Sequence, residues 1–360
     1  MTEAKNKQIL TRAECAAMRG IAIIGICLHN YCHWLGFAVK ENEYTFDMAK
    51  SHGIVEAMMH PDAYLPIHLL SFFGHYGVPV FLFLSAYGLV MKYEGQGRGA
   101  GKDVSAASFI KKHFLKLFSM MIAGFALFLM VDAITPGAHH YKALDVVAQL
   151  LMLNNIMPDP DHVIWPGPYW FFGLMLQLYA VYRLFLYRRG WKAVAIAVAL
   201  CWAAQAFCDP AGETLNRVRY NFMGGMLPFG AGLLLVKYGR NLTHSAWIII
   251  TVVSATATMF FSLNFQLWLW NPLAVCFLCV GIVKTIPQRA NKALAWVGGI
   301  SAALFVMHPV TRKVFINLYR HDDVYAGLAL YVVASVAIAW FYHEMRKRWK
   351  SQGQKPKQAL

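Results

Sequence analysis

Charge is scarce in this 360-residue chain: Asp, Glu, Lys and Arg make up 14% of it, against 58% hydrophobic residues. An ordinary soluble domain is about a quarter charged, so a soluble fold of this length lacks the polar surface it needs. Acid is scarcer than base, with 18 Asp+Glu against 33 Lys+Arg and a formal net charge of +15. Glu is nearly absent from the long apolar runs, and only Asp132 sits near the interior of one. That shortage speaks against a secondary transporter or proton-coupled permease, the chief alternative class, which calls for acidic residues within several spans. The seven cysteines form neither a secreted disulfide framework nor repeated CxxC metal spacing; no metal and no permanently bound cofactor are expected. A clean A-x-A cleavage site is missing after the first apolar run, which holds His29, Asn30 and His33 and reads as a retained span. The basic residues lie in short clusters between apolar runs, as cytoplasmic loops do, so nucleic acid is not an expected partner.

What the chain does have is long apolar runs. A spanning helix needs roughly 20 such residues, and runs at 15–35, 67–91, 114–135, 168–187, 191–208, 221–237, 244–262, 267–286, 294–316 and 324–343 meet or approach that length. The expected fold is an all-α polytopic bundle of about ten spanning helices in a lipid bilayer. Loop charge sets its orientation: with the N-terminus inside, the inner segments hold 25 of the 33 Lys+Arg and the outer ones 8, Arg312 and Lys313 among them. Both termini are then cytoplasmic, residues 1–343 form the membrane domain, and 344–360 form a basic cytoplasmic tail. Two long outer segments, roughly 36–66 and 136–167, are rich in His, Asp, Pro and aromatic residues. Segment 143–156 reads as an extra interfacial or re-entrant helix, and the Gly-rich stretch 94–103 as a flexible linker.

The first span carries the most unusual polarity. Arg19 stands at its cytoplasmic end, and His29 lies about 15 Å deeper at 1.5 Å per residue. At 100° per residue, Asn30 returns to within about 20° of Arg19 and His33 to within about 40°, while His29 is about 80° away. A polar stripe therefore runs inward from the cytoplasmic surface. Arginine at one end suits phosphate oxygens, and a histidine near the middle suits proton transfer at neutral pH. The plainer alternative is a topology anchor plus inter-helix hydrogen bonds. Further candidates are His75 near the outer end of the second span, Ser85 within it, and the basic run Lys111, Lys112, His113, Lys116. Gln177 is an internal polar residue of the fourth span, which opens with the aromatic Trp165, Tyr169 and Trp170. His308, followed by Pro309, suggests a kinked helix presenting an imidazole.

Four ordered blocks resemble the acyltransferase 3 family of bacterial integral membrane O-acyltransferases. They are Arg19-Gly20-Ile21-Ala22 through His29; Gly74, Val78, Phe81 or Phe83 and Ser85; the basic patch with His113 and Lys116; and Ile300-Ser301 through His308. The Tyr-Trp-Phe-Phe start of the fourth span, with Trp170, also looks like the family's Trp-Phe-Leu helix. The family's first-helix histidine usually stands eleven positions after its Arg or Lys, where this chain has Asn30; His29 or His33 takes that part. The family's Arg-x-x-Arg is replaced here by His113 and Lys116. The resemblance implies transfer of an acyl group, commonly acetyl, from cytoplasmic acyl-CoA such as acetyl-CoA. The acceptor would be a hydroxyl of a sugar, cell-surface glycan or small molecule, and the setting a bacterial inner membrane. It further implies donor binding by Arg19, Lys112, His113 and Lys116, and catalysis by His29 with His308.

Overall fold

A computed structural model describes residues 8–95, 104–317 and 323–352. Most of the Gly-rich stretch, with Arg98 and Lys102, lies outside the described residues, as do Lys5, Lys7, Arg320 and the end of the basic tail. Regular structure is helical throughout, without a strand among the described residues. The helices are α1 (Arg12–Cys32), α2 (Met48–Met59), α3 (Leu65–Phe73), α4 (Gly77–Tyr93), α5 (Ala106–Ile134), α6 (Ala143–Leu150), α7 (Pro160–Val163) and α8 (Trp170–Val181). They continue with α9 (Trp191–Ala206), α10 (Glu213–Tyr220), α11 (Phe222–Tyr238), α12 (His244–Phe261), α13 (Phe265–Trp268), α14 (Asn271–Thr285), α15 (Gln288–Gly299), α16 (Ser301–Phe315) and α17 (Val324–Gln352).

Among the described residues, six helical stretches are long and apolar enough to cross a membrane: Arg12–Cys32, Leu65–Tyr93, Ala106–Ile134, Gly167–Leu186, His244–Phe261 and Val324–Trp349. The pair α15 and α16, bent by 65°, makes a seventh if counted as one span. Three shorter apolar helices, α9, α11 and α14, accompany them. The expected kink at Pro309 falls elsewhere: α16 runs through that proline, and the bend lies at Ile300. The physical reason is at Gly298, where a Cβ would meet the Ala16 carbonyl oxygen at 1.8 Å. Backbone-to-backbone contact with α1 fixes the end of α15, and the Ser301 hydroxyl caps the break by donating to the Gly298 carbonyl (2.8 Å). Segment 143–156 holds α6 and a 3₁₀ turn at Asn154–Ile156, and α17 continues past residue 343 to Gln352.

Helix α1 is the axis of the bundle. It opens on a capping box, with Thr11 and Glu14 each accepting from the other's backbone N–H. It then packs against α15, α3, α4 and α16. The basic segments gather at one end. There Glu14 pairs with Lys284 (2.9 Å), Glu94 with Lys237 (2.7 Å), Lys237 reaches the Arg189 carbonyl (2.8 Å) and Arg346 reaches Ser119 (2.8 Å). The loops rich in His and aromatic residues gather at the other. Arg219 donates to the Glu43 carbonyl (2.6 Å), Ser51 to the Ser262 carbonyl (2.7 Å) and Tyr325 to the Ala63 carbonyl (2.5 Å).

The second span, Leu65–Tyr93, is interrupted by a 3₁₀ turn at Gly74–Tyr76. Gly74 sits against α1 so closely that a Cβ would lie 2.5 Å from the Gly25 carbonyl oxygen and 2.6 Å from His29 Cβ. On the other side of the same span, nothing lies within 4 Å of a Cβ on Gly88. Gly74→Ala is therefore expected to destabilise the protein by about 1–3 kcal/mol. Gly88→Ala, which only gains helix propensity, is expected to be neutral or stabilising. Thermal unfolding of the purified variants in detergent checks both, and equal behaviour of the two would refute the close contact.

Candidate active site

The close contact at Gly74 brings the end of α3 beside the last turns of α1. The Ser71 carbonyl, near the end of α3, lies 2.7 Å from His29 Nδ1. A carbonyl only accepts, so Nδ1 carries the proton and Nε2 is left as the basic nitrogen. His29 is buried, and its ring centroid lies 5.3 Å from that of His33 and 5.6 Å from that of His75. His33, one turn on, bonds through Nδ1 to Glu41 (2.8 Å). Burial alone would raise the Glu41 carboxyl, but the His29 and His33 imidazoles outweigh it and hold the group well below the usual carboxylate range. His75 is buried, and its ring bonds to the Phe72 backbone.

Loop 33–47 turns back over this cluster and is tied down. Asn42 bonds to Ser51 (3.0 Å) and to both backbone groups of Asp47, and its own carbonyl accepts from Trp268 Nε1 (3.0 Å). Lys40 donates to the carbonyls of His33 and Leu35, closing the end of α1. Glu41 is thereby fixed above His33.

From the far side α16 contributes His308, Arg312 and Lys313, all buried. His308 bonds through Nδ1 to the Leu304 carbonyl (3.0 Å), leaves Nε2 unpartnered, and lies within electrostatic reach of His29. Arg312, one turn later, is 4% exposed. It donates to Asn30 Oδ1 (2.9 Å) and stacks over Trp34, 4.5 Å from the ring centroid. Lys313 pairs with Asp132 (2.8 Å), which also accepts from Tyr141 (3.0 Å) and the His139 N–H (2.8 Å). Positive-inside counting placed Arg312 and Lys313 among the outer-segment charges. The structure shows them buried, with Asn30, Trp34 and Asp132 as the partners that make burial tolerable. The missed signal was spacing: Arg312 follows His308 by four residues, on the same helical face.

Beside His75 lies a cavity of about 40 Å³ lined by Glu43, Tyr44, Tyr76, Trp170 and Arg219 among others, room for roughly two or three waters. Tyr44 stacks on Tyr220 (3.8 Å between centroids), and Trp170 stands edge-on to both. Burial raises the Glu43 carboxyl to about 8 and lowers Arg219 to about 10. Glu41, Glu43 and Arg219 carried no motif; only the loop folding back assembles them.

Thus His29, Asn30, His33, His75 and His308 come together, with Trp170 at the adjoining cavity. The remaining candidates stand apart from that cluster. Arg19 is exposed, about ten residues and 15 Å down α1. Lys112 and Lys116 are exposed on α5, flanking a buried His113 packed against Phe109 and Tyr179 (4.3 Å each) and facing Tyr93 Oη (3.4 Å). Ser85 bonds to Tyr179 in the same region. Gln177 is taken up structurally, donating to Asn221 (2.7 Å) and accepting from the Phe222 N–H (2.8 Å).

The bundle thus gathers buried histidines, a fixed carboxylate and a buried arginine where the last turn of α1 meets α16 and loop 33–47, and ionisable groups buried among apolar helices mark a candidate functional site. The family model described as an acyltransferase domain, acyltransferase 3, matches residues 15–344, and the chain belongs to that family. It is therefore a multi-pass membrane acyltransferase. No curated protein and no solved structure matches the chain.

The Lys313–Asp132 pair fixes the arginine-bearing turn of α16 against α5. Lys313→Met leaves Asp132 as a lone buried charge and is expected to cost about 3–5 kcal/mol. The double variant Asp132→Asn/Lys313→Met is expected to recover at least half of that loss. Thermal unfolding of the two proteins gives the comparison; equal losses would mean that the pair does not set the stability of this turn.

Proposed function

We propose that the protein transfers an acyl group, acetyl in the first instance, from cytoplasmic acyl-CoA to a hydroxyl of a sugar, cell-surface glycan or small molecule. The observation that carries the reading is His29: its Nδ1 is committed to the Ser71 carbonyl, so Nε2 is the free base, and a buried arginine lies on the facing helix. In this mechanism the acceptor oxygen attacks the thioester carbonyl as its proton passes to His29 Nε2. The negative charge on the former carbonyl oxygen is stabilised by Arg312, whose fork has donors beyond the one given to Asn30. Collapse breaks the C–S bond, and the departing thiolate takes the proton from His29 to give free CoA. His308, one turn from Arg312, assists from the outer side.

The donor's phosphates are assigned to Arg19, Lys112 and Lys116, exposed basic groups near the cytoplasmic ends of their helices, with His113 as the buried brace between the two lysines. The acceptor is assigned to the opposite end, where Tyr44, Trp170 and Tyr220 offer aromatic faces beside the cavity. The proposed setting is a bacterial inner membrane with both termini cytoplasmic. Clustering of the basic segments at one end supports that orientation. A count of ten crossings follows if the six long spans, the bent pair and the three shorter apolar helices all cross.

The test uses purified protein with acetyl-CoA labelled in the acyl group and a panel of sugar acceptors. His29→Ala is expected to lower turnover at least about 100-fold, the low end for a lost general base. The double variant Lys112→Ala/Lys116→Ala is expected to raise KM for acetyl-CoA at least about tenfold with kcat little changed. Undiminished transfer by His29→Ala would remove His29 as the base.

A further inference from the structure

We infer that His29, His33 and Glu41 form a binding site for a divalent transition-metal ion of the zinc class, and that a bound ion withdraws His29 from proton transfer. Each residue offers one ligand atom, and the three atoms lie within 4.8 Å of one another. Two imidazoles and one carboxylate form a donor set that zinc-class ions favour, with a fourth position left for water. In a tetrahedral site with bonds of 2.0–2.2 Å the ligand atoms stand about 3.4 Å apart. Closing this site therefore needs a movement of about an ångström. His33, whose side chain is 35% exposed, has room to make it.

Three further observations point to a ligand. His29 donates Nδ1–H to the Ser71 carbonyl, the second bond that metal-ligating histidines characteristically make and that aims the other nitrogen at the ion. Glu41 is held above His33 by a loop pinned at Asn42, so the carboxylate is in place before any ion arrives. His75, buried and 5.6 Å from the His29 ring, stands as a further imidazole at the edge of the site. The half-buried side chain of His33 gives an ion its way in from the outer face. Coordination uses the lone pair of His29 Nε2, the same pair that accepts the acceptor's proton, so occupancy and general-base action exclude each other. The site itself does not depend on the acyl-transfer reading; the inhibition does.

The full-length protein, purified in detergent and stripped with EDTA, is titrated with Zn²⁺ calorimetrically and with Co²⁺ by visible absorption. One ion per chain is expected, with Co²⁺ bands of a low-coordinate nitrogen and oxygen site. His33→Ala and Glu41→Gln should each weaken Zn²⁺ binding at least about 100-fold. His52→Ala and His60→Ala, at exposed histidines of the same outer loop, should not change it. In the wild-type protein Zn²⁺ should protect His29 and His33 from diethylpyrocarbonate, read by mass spectrometry, which keeps the test independent of how the variants fold. Binding below one ion per chain, unchanged affinity in folded His33→Ala and Glu41→Gln, or no protection would overturn the site. Acyl transfer should fall with the same Zn²⁺ midpoint as binding. Stoichiometric binding with protection but undiminished transfer would keep the site and remove His29 as the base; absent binding with intact transfer would do the reverse.

Discussion

One close approach holds the centre of this molecule together. Residue 74 has no side chain, so the break between α3 and α4 can lie directly on α1. Only at that distance can the Ser71 carbonyl meet His29 Nδ1. The hydrogen bond fixes the tautomer of a buried imidazole, and with it the direction of the basic nitrogen. The same approach brings His75 alongside, and His33 follows one turn further along α1. The chemistry proposed for the protein rests on backbone-to-backbone packing more than on any side-chain pair.

Around that contact, the apolar surroundings demand that each polar group find a partner within the protein. The demand is met with few residues. Asp132 alone serves Lys313, Tyr141 and the His139 backbone. Asn30 and Trp34, both from the end of α1, accommodate Arg312. Asn42 secures the loop that carries Glu41. Not every buried atom is satisfied, and Nε2 of His308 is among those without a partner. An unpartnered nitrogen in such a setting is costly, and His308 lies within electrostatic reach of His29.

The long separation between the two groups of candidate residues fits a reaction that joins the two sides of a membrane. Basic residues that suit a phosphate-bearing donor lie at the end where Glu14, Lys284, Lys237 and Arg346 also gather. Aromatic residues that suit a sugar lie with the outer loops. The histidine cluster stands between them, about 15 Å along α1 from Arg19.

What the sequence determined by itself was whatever depends on one helix at a time. Length and apolarity set the all-helical membrane class. Charge between the runs grouped the basic segments, and the polarity of α1 singled out His29, Asn30 and His33. The acyltransferase 3 blocks were legible for the same reason, each being a short continuous stretch. Tertiary structure alone decided what came from between elements. Arg312 looked like a loop charge until packing put Asn30 and Trp34 beside it. Glu41 and Glu43 lay in a loop without a motif until that loop folded back. The bend of the ninth run moved from Pro309 to Ile300 because α15 meets α1 backbone to backbone at Gly298. Local pattern reports what a residue prefers, whereas partners from distant helices decide which charges can be buried and which imidazole nitrogen is free to react.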